Sequence, residues 1–239
     1  DVYKRQVMSR RLILIRHGQT TYNATGRMQG HLDTELSETG YAQARAAGEL
    51  LRGEGVAKIV SSDLRRAAET ARVVGEALGL DYQTDPRLRE TNLGNWQGMS
   101  SAEVDEQFPG ARALWRHDAT WAPPEGESRV QVAVRARPVI DELMESFQDW
   151  NGQALLVVAH GGAIAALTCH LLGLEHRQYG TLSGLKNTHW AQLTARPVFD
   201  AARPLAPVHF DPAQPAKATW YFDGWNMGGR VAGDGGADI

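Results

Sequence analysis

The run Ala154-Leu155-Leu156-Val157-Val158 constrains the fold more than any other feature of this chain. Five consecutive apolar residues with no polar alternation must be covered on both faces. A strand of that kind belongs in a parallel sheet with helices on each side. Leu12-Ile13-Leu14-Ile15 has the same character. Residues 57–60 read as a third strand, 80–84 as a weaker one, and 188–193 and 219–222 as candidates for two more. Helical patterns alternate with them. Ser37 caps one that runs to Leu51, with Ala42, Ala46, Leu50 and Leu51 on one side. A second spans about residues 63–78 and stops at Gly79, and a third spans 161–172. Strand–helix alternation predicts a three-layer α/β/α sandwich around a mostly parallel sheet.

Residues 85 to about 127 break this rhythm. They are rich in Trp, Arg, Pro and Gly, with short helices expected at about 101–108 and 111–117. A long helix follows from Ser128 to about Trp150, which Pro138 should kink or break. A single domain is expected over residues 10–227. Residues 1–9 are expected to stand outside it, because Met8 is a better initiator than the sequence before it. The Gly-rich segment 228–239 is expected to be a disordered tail.

A net charge of -3 gives no reason to expect nucleic acid or an anionic membrane as partner. Any bound anion must be held by a local cluster of cations. Cys169 is the only cysteine, so an internal disulfide is impossible. No segment resembles a signal peptide or a membrane span, so a cytoplasmic enzyme is expected. The Asn23-Ala24-Thr25 sequon carries no weight without secretion.

Ligands of open parallel sheets bind beyond the carboxyl ends of the strands. Arg16-His17-Gly18 follows the first strand, Ser61-Ser62-Asp63-Leu64-Arg65-Arg66 the second, and His160-Gly161-Gly162 the strongest one. Two histidines and at least two arginines therefore meet on one sheet edge. Clustered cations repel one another unless an anion lies between them. Backbone N–H groups of Gly18, Gly161 and Gly162 can add donors near helix starts. No His-Glu-x-x-His, Cys pair, Walker loop, dinucleotide fingerprint or Gly-x-Ser-x-Gly competes. No metal or other cofactor is expected.

Arg16-His17-Gly18-Gln19-Thr20 with Asn23 resembles the signature of the histidine phosphatase superfamily, whose fold is phosphoglycerate mutase-like. Ser61–Ala67, with Arg66 at the phosphate-binding position, resembles its second motif. Leu88-Arg89-Glu90 with Gly94-Asn95-Trp96-Gln97-Gly98 resembles its acid-bearing loop, and His160-Gly161-Gly162 its last motif. The matched region spans about residues 11–195. Within the superfamily, Asp118–Pro123, Gly126-Glu127-Ser128-Arg129, Arg27-Met28-Gln29-Gly30 and Trp225-Asn226 resemble the actinobacterial glucosyl-3-phosphoglycerate phosphatases.

The resemblance implies a phosphatase that forms a phosphohistidine on His17. Arg16, Arg66 and a protonated His160 would hold phosphoryl oxygens, and Asn23 would donate a further hydrogen bond. Glu90 would be the general acid and then the general base; a salt bridge with Arg87 or Arg89 is its alternative reading. Thr20, Gln29 and Gly161 are expected at the pocket. Trp96 and Trp121 either contact a sugar ring or pack internally. Arg112, Arg116, Arg129 and Lys186 are candidates for holding a glycerate carboxylate, against surface charge as the plainer reading. The partner is a small phosphorylated substrate, and the resemblance suggests a homodimer. A cofactor-dependent phosphoglycerate mutase uses the same residues, but with a longer insert before the last histidine than the 70 positions between Glu90 and His160. Broad-specificity and α-ribazole-type phosphatases, and a non-catalytic phospholigand-binding module, are further alternatives.

Overall fold

The two apolar runs become adjacent central strands of one sheet. The computed structural model describes residues 9–202 and 209–229. Residues 1–8 and 230–239, on which the expected extension and tail largely fall, lie outside the described residues. The strands are β1 (Arg10–Arg16), β2 (Val56–Ser61), β3 (Tyr82–Thr84), β4 (Ala154–Ala159), β5 (Trp190–Pro197) and β6 (Ala218–Met227). Their order is β3-β2-β4-β1-β5-β6. The first four strands run parallel, and β5 and β6 continue the sheet antiparallel. The helices are α1 (Thr21–Ala24), α2 (Glu38–Leu51), α3 (Arg65–Leu78), α4 (Ser101–Gln107), α5 (Ala111–His117), α6 (Arg129–Ser146) and α7 (Gly161–Leu171).

Strand alternation divides the core into two layers. Leu12, Leu14, Leu155 and Val157 pack with Ala136, Ile140, Ile164 and Leu167 of α6 and α7. Ile13, Ile15, Leu156 and Val158 pack on the other side with Ala47, Leu51, Ala71 and Val74 of α2 and α3. Each large side chain here is worth about 2–5 kcal/mol against truncation to Ala. The expected sandwich of helices on both faces of a mostly parallel sheet is present.

Three local expectations need correction. The buried face of α2 is Gln43, Ala44, Ala47, Gly48 and Leu51, while Leu50 is half exposed. Small residues let α2 approach α3 closely, and Gln43 is drawn inward because its Oε1 accepts the Gln19 N–H at 2.8 Å. Pro138 does not break α6, which continues through it to Ser146. Pro138 and Val134, whose carbonyl loses its helical donor, both face solvent, where the carbonyl is open to hydration. Helix α3 begins at Arg65, after Asp63; it ends as expected at Gly79, which takes the left-handed conformation at φ 68.

Register positions the site. Arg16 pairs with Ala159 across β1 and β4, and Ser61 pairs with Val158 across β2 and β4. The residues that leave these strands, His17, His160 and Ser62, therefore emerge side by side. Helices depart to opposite faces from the β1–β4 boundary, which makes it the crevice where an open α/β sheet binds ligands.

Candidate active site

His17 is buried at the end of β1, with its backbone N–H donating to the Ala159 carbonyl at 3.0 Å. Its ring Nδ1 lies 2.7 Å from the Gly18 carbonyl oxygen. A carbonyl only accepts, so Nδ1 carries the proton and Nε2 keeps its lone pair. Burial pushes the His17 pKa well below the ordinary 6.5, and the nearby charges of Arg66 and Arg16 push it further. Both effects favour a neutral imidazole, the form that a nucleophilic role would require.

The His160 ring is centred 5.2 Å from that of His17. Its Nε2 is 2.8 Å from the Ser62 hydroxyl, and its Nδ1 has no hydrogen-bond partner. Burial, then Arg66, His17 and Arg16, push its pKa well below 6.5. The charge that His160 would add if protonated is therefore disfavoured in the ligand-free site. A bound dianion would oppose those same cations and favour the imidazolium.

Arg66, in the first turn of α3, is buried and donates to the carbonyls of Gly30 (2.8 Å) and Leu32 (2.7 Å). These bonds fix the plane of the guanidinium and leave Nε without a partner. Burial lowers its pKa to about 10, moderated by Glu90 and Asp33, so it stays charged at neutral pH. Arg16 is oriented by its Nη1 bond to the Leu185 carbonyl at 2.5 Å.

Glu90 forms no ion pair with its neighbours in sequence: Arg89 pairs with Asp63, and Arg87 with Asp85 and Glu142. Its carboxylate sits on the N-terminus of α7. There it accepts from the backbone N–H groups of Thr91 (2.8 Å), Gly162 (3.1 Å) and Ala163 (2.9 Å). Gly162 is required because a Cβ there would lie 2.7 Å from Glu90 Oε1. Two expected phosphate donors are consequently occupied. Gly162 N–H serves Glu90, and Gly18 N–H donates to Thr70 Oγ1 at 3.0 Å.

Arg16, His17, Arg66 and Glu90 border a cavity of about 440 Å³, within the usual range for small-molecule sites; His160 is fully buried behind His17 and does not line it. Asn23, Gln29 and Gly161 line it as expected. Asn23 Oδ1 accepts from Thr20 N–H (3.1 Å) and Asn187 Nδ2 (3.3 Å), and Gln29 Oε1 accepts from the hydroxyls of Thr20 (2.9 Å) and Thr34 (2.5 Å). Each amide is left with its NH2 for the cavity. Thr20 itself is fully buried and does not line the cavity; the expectation that it contacts ligand is corrected to a supporting position beneath Asn23 and Gln29.

Arg116, Arg129 and Lys186 also line the cavity, joined by Arg27. Arg112 does not; it forms a fork on Asp105 at 2.6 and 2.7 Å. Arg129 holds the end of α5 by donating to the carbonyls of Trp115 and Arg116, each at 2.7 Å. Trp96 is fully buried and packs with Trp115 and Trp121. Of these three rings, only Trp115 lines the cavity. Glu90 is the only acidic residue among the described lining residues.

Apart from Lys186, sequence reading missed the wall formed by residues 183–187. Asn187 Nδ2 donates to the His17 carbonyl at 2.9 Å. Asn226 on β6 accepts from Lys186 N–H and donates to the Gly184 carbonyl, both at 2.9 Å, and Trp225 Nε1 donates to the Ser183 carbonyl at 3.0 Å. The Trp225-Asn226 pair was the available signal, but nothing local in the sequence says what it holds. Among the described residues, no group of three His, Cys, Asp or Glu side chains could hold a metal ion, and no helix is long and apolar enough to cross a membrane.

The pattern of the histidine phosphatase superfamily (branch 1) matches residues 12–198. The chain belongs to that superfamily. The glucosyl-3-phosphoglycerate phosphatase of Mycobacterium tuberculosis is 47% identical over 232 residues, covering 95% of this chain and 98% of the relative. That of Mycolicibacterium vanbaalenii is 48% identical over 229 residues, covering 94% and 98%. A solved structure of mycobacterial glucosyl-3-phosphoglycerate phosphatase in complex with VO3 superposes with a TM-score of 0.79 at 48% identity, covering 91% of this chain and 98% of that one.

Proposed function

We propose that this histidine phosphatase hydrolyses glucosyl-3-phosphoglycerate through a phosphohistidine on His17. The observation that carries the mechanism is the His17 Nδ1–H bond to the Gly18 carbonyl, which leaves Nε2 as a free nucleophile among cations. The Nε2 lone pair attacks phosphorus, the ester P–O bond breaks, and Glu90 gives its proton to the departing alkoxide. A water then attacks phospho-His17, Glu90 takes its proton, and inorganic phosphate leaves with the ring restored. Arg16, Arg66, the NH2 groups of Asn23 and Gln29, and His160 Nδ1 stabilise the charge on the transferring group. Arg116, Arg129 and Lys186 supply charge for a glycerate carboxylate. The identity to the mycobacterial phosphatases over nearly the whole chain supports the choice of substrate.

Residues 10–227 act as one domain in the cytoplasm, without added metal and as a homodimer. Light scattering of the purified protein tests the last point. Activity is tested with glucosyl- and mannosyl-3-phosphoglycerate, 3-phosphoglycerate, α-ribazole phosphate and p-nitrophenyl phosphate in the presence of a chelator. Preference for the first and an acid-labile phosphoenzyme absent from His17→Ala are expected. Full activity of His17→Ala would sink the mechanism, equal rates on all five the substrate, and faster 3- to 2-phosphoglycerate interconversion would favour a mutase.

A further inference from the structure

Glu127 and Arg135 form an ion pair whose remaining hydrogen bonds all reach the main chain around Glu90. Arg135, on α6, donates Nε to Glu127 Oε1 at 2.9 Å and Nη2 to Oε2 at 2.7 Å. Its Nη1 also donates to the Arg87 carbonyl at 2.7 Å, and Nη2 to the Glu90 carbonyl at 2.8 Å. Glu127 Oε2 accepts the Asn92 N–H at 2.9 Å, and the Glu127 N–H donates to the Asn92 carbonyl at 2.8 Å. His31 Nε2 donates to the Glu90 carbonyl at 2.7 Å and lies 4.0 Å from Glu127 Oε2. One ion pair thus grips the chain before, at and after Glu90.

We propose that Arg135, seated on Glu127, is a positioning residue that sets where the Glu90 carboxyl group stands relative to the leaving-group oxygen. The inference rests on Glu90 being the general acid. Residues 89–93 have no regular secondary structure, so no ladder of backbone bonds fixes them. The Glu90 carboxylate is tethered to α7 and its carbonyl to Arg135. His31 shares that carbonyl, but Arg135 alone also holds the Arg87 carbonyl and the Glu127 carboxylate that binds Asn92, so it couples the main chain on both sides of Glu90. Neither Glu127 nor Arg135 lines the cavity, so their removal takes away no contact with substrate. A displacement of about 1 Å is enough to cost on the order of 10²-fold in rate. Arginine is needed because its planar fork serves four acceptors at fixed angles, which the single ammonium of lysine cannot.

The test is leaving-group dependence. Departure of a sugar-glycerate alkoxide requires a proton, whereas p-nitrophenolate leaves without one. kcat/KM covers the steps through departure of the alcohol and is independent of the later hydrolysis of phospho-His17. Glu90→Gln, Arg135→Met and Arg135→Lys are compared on glucosyl-3-phosphoglycerate and p-nitrophenyl phosphate. Glu90→Gln is expected to lose about 100-fold on the alkyl ester and less than about fivefold on the aryl ester. Arg135→Met should share that selectivity, and Arg135→Lys should show it in weaker form. A change that merely loosens the fold lowers both values by one factor. Equal losses on the two esters in both Arg135 variants, with Glu90→Gln still selective, overturn the positioning role while leaving Glu90 as the acid. Equal losses in Glu90→Gln overturn both. Should Arg135→Met fail to fold, Arg135→Lys carries the same comparison.

Discussion

Two buried neutral histidines make the stability of this protein sensitive to mild acid. His17 and His160 are 2% and 0% exposed. Burial first, and then the surrounding cations, push both pKa values well below 6.5. In the unfolded chain each ring titrates near 6.5. As pH falls through that value, the unfolded chain gains two protons that the folded protein does not, so stability is lost as pH falls. For a ring that stays neutral in the folded state, linkage shifts the unfolding equilibrium about 25-fold between about pH 7 and pH 5, or about 2 kcal/mol per ring. His160→Gln removes one share. Urea unfolding in phosphate-free buffer at several pH values should therefore show wild type losing about 2 kcal/mol more than His160→Gln across that interval. Added vanadate should shrink the wild-type loss, because an oxyanion opposes Arg66 and Arg16. Identical pH dependence in the two proteins would refute the assignment of His160 as a buried neutral base.

Other perturbations separate the parts of the site. Gly162→Ala places a methyl group 2.7 Å from Glu90 Oε1; the carboxylate must move, and kcat should fall by about 10²-fold or more with the circular dichroism spectrum unchanged. Arg66→Lys loses the fork that binds the Gly30 and Leu32 carbonyls, and kcat/KM should drop by about 10²-fold even though the charge is kept. Asn226→Ala releases Lys186 and Gly184 from β6; KM should rise by about tenfold while rapid quench still detects the phosphoenzyme.

The layers of the fold were legible because they depend on local patterns. Every residue of β4 is buried, and an unbroken apolar run permits no other placement in a sheet. Strand order was not legible, because it depends on how β1 and β4 are paired over more than a hundred residues of intervening chain. The buried face of α2 was misread for a related reason. In an Ala- and Gly-rich helix, hydrophobicity does not choose a face; close approach to α3 does, and that is a tertiary property. Pro138 illustrates the limit of a local rule, since its cost falls where the freed carbonyl is open to solvent.

The residues of the site were legible, while much of its support was not. His17, Arg66, Glu90 and His160 occupy positions just after strands or in a loop beside them, where a sheet delivers its chemistry. What the sequence conceals is which hydrogen bonds are already made. Asn23 and Gln29 each carry a donor and an acceptor, and either end could face a ligand. Thr20 and Asn187, the latter 164 residues from Asn23, donate to Asn23 Oδ1; the hydroxyls of Thr20 and Thr34 serve Gln29 Oε1. The acceptor end of each amide therefore points into the protein. The same logic places Glu90, the one acidic residue among the described lining residues, on a helix N-terminus with three N–H partners. A cavity lined by cations and the donor ends of amides is complementary to an anion such as the phosphate dianion of the proposed substrate. On that reading its selectivity for an anion depends as much on Thr20, Thr34 and Asn187, which hold the acceptor ends inward, as on the residues that would touch the phosphate.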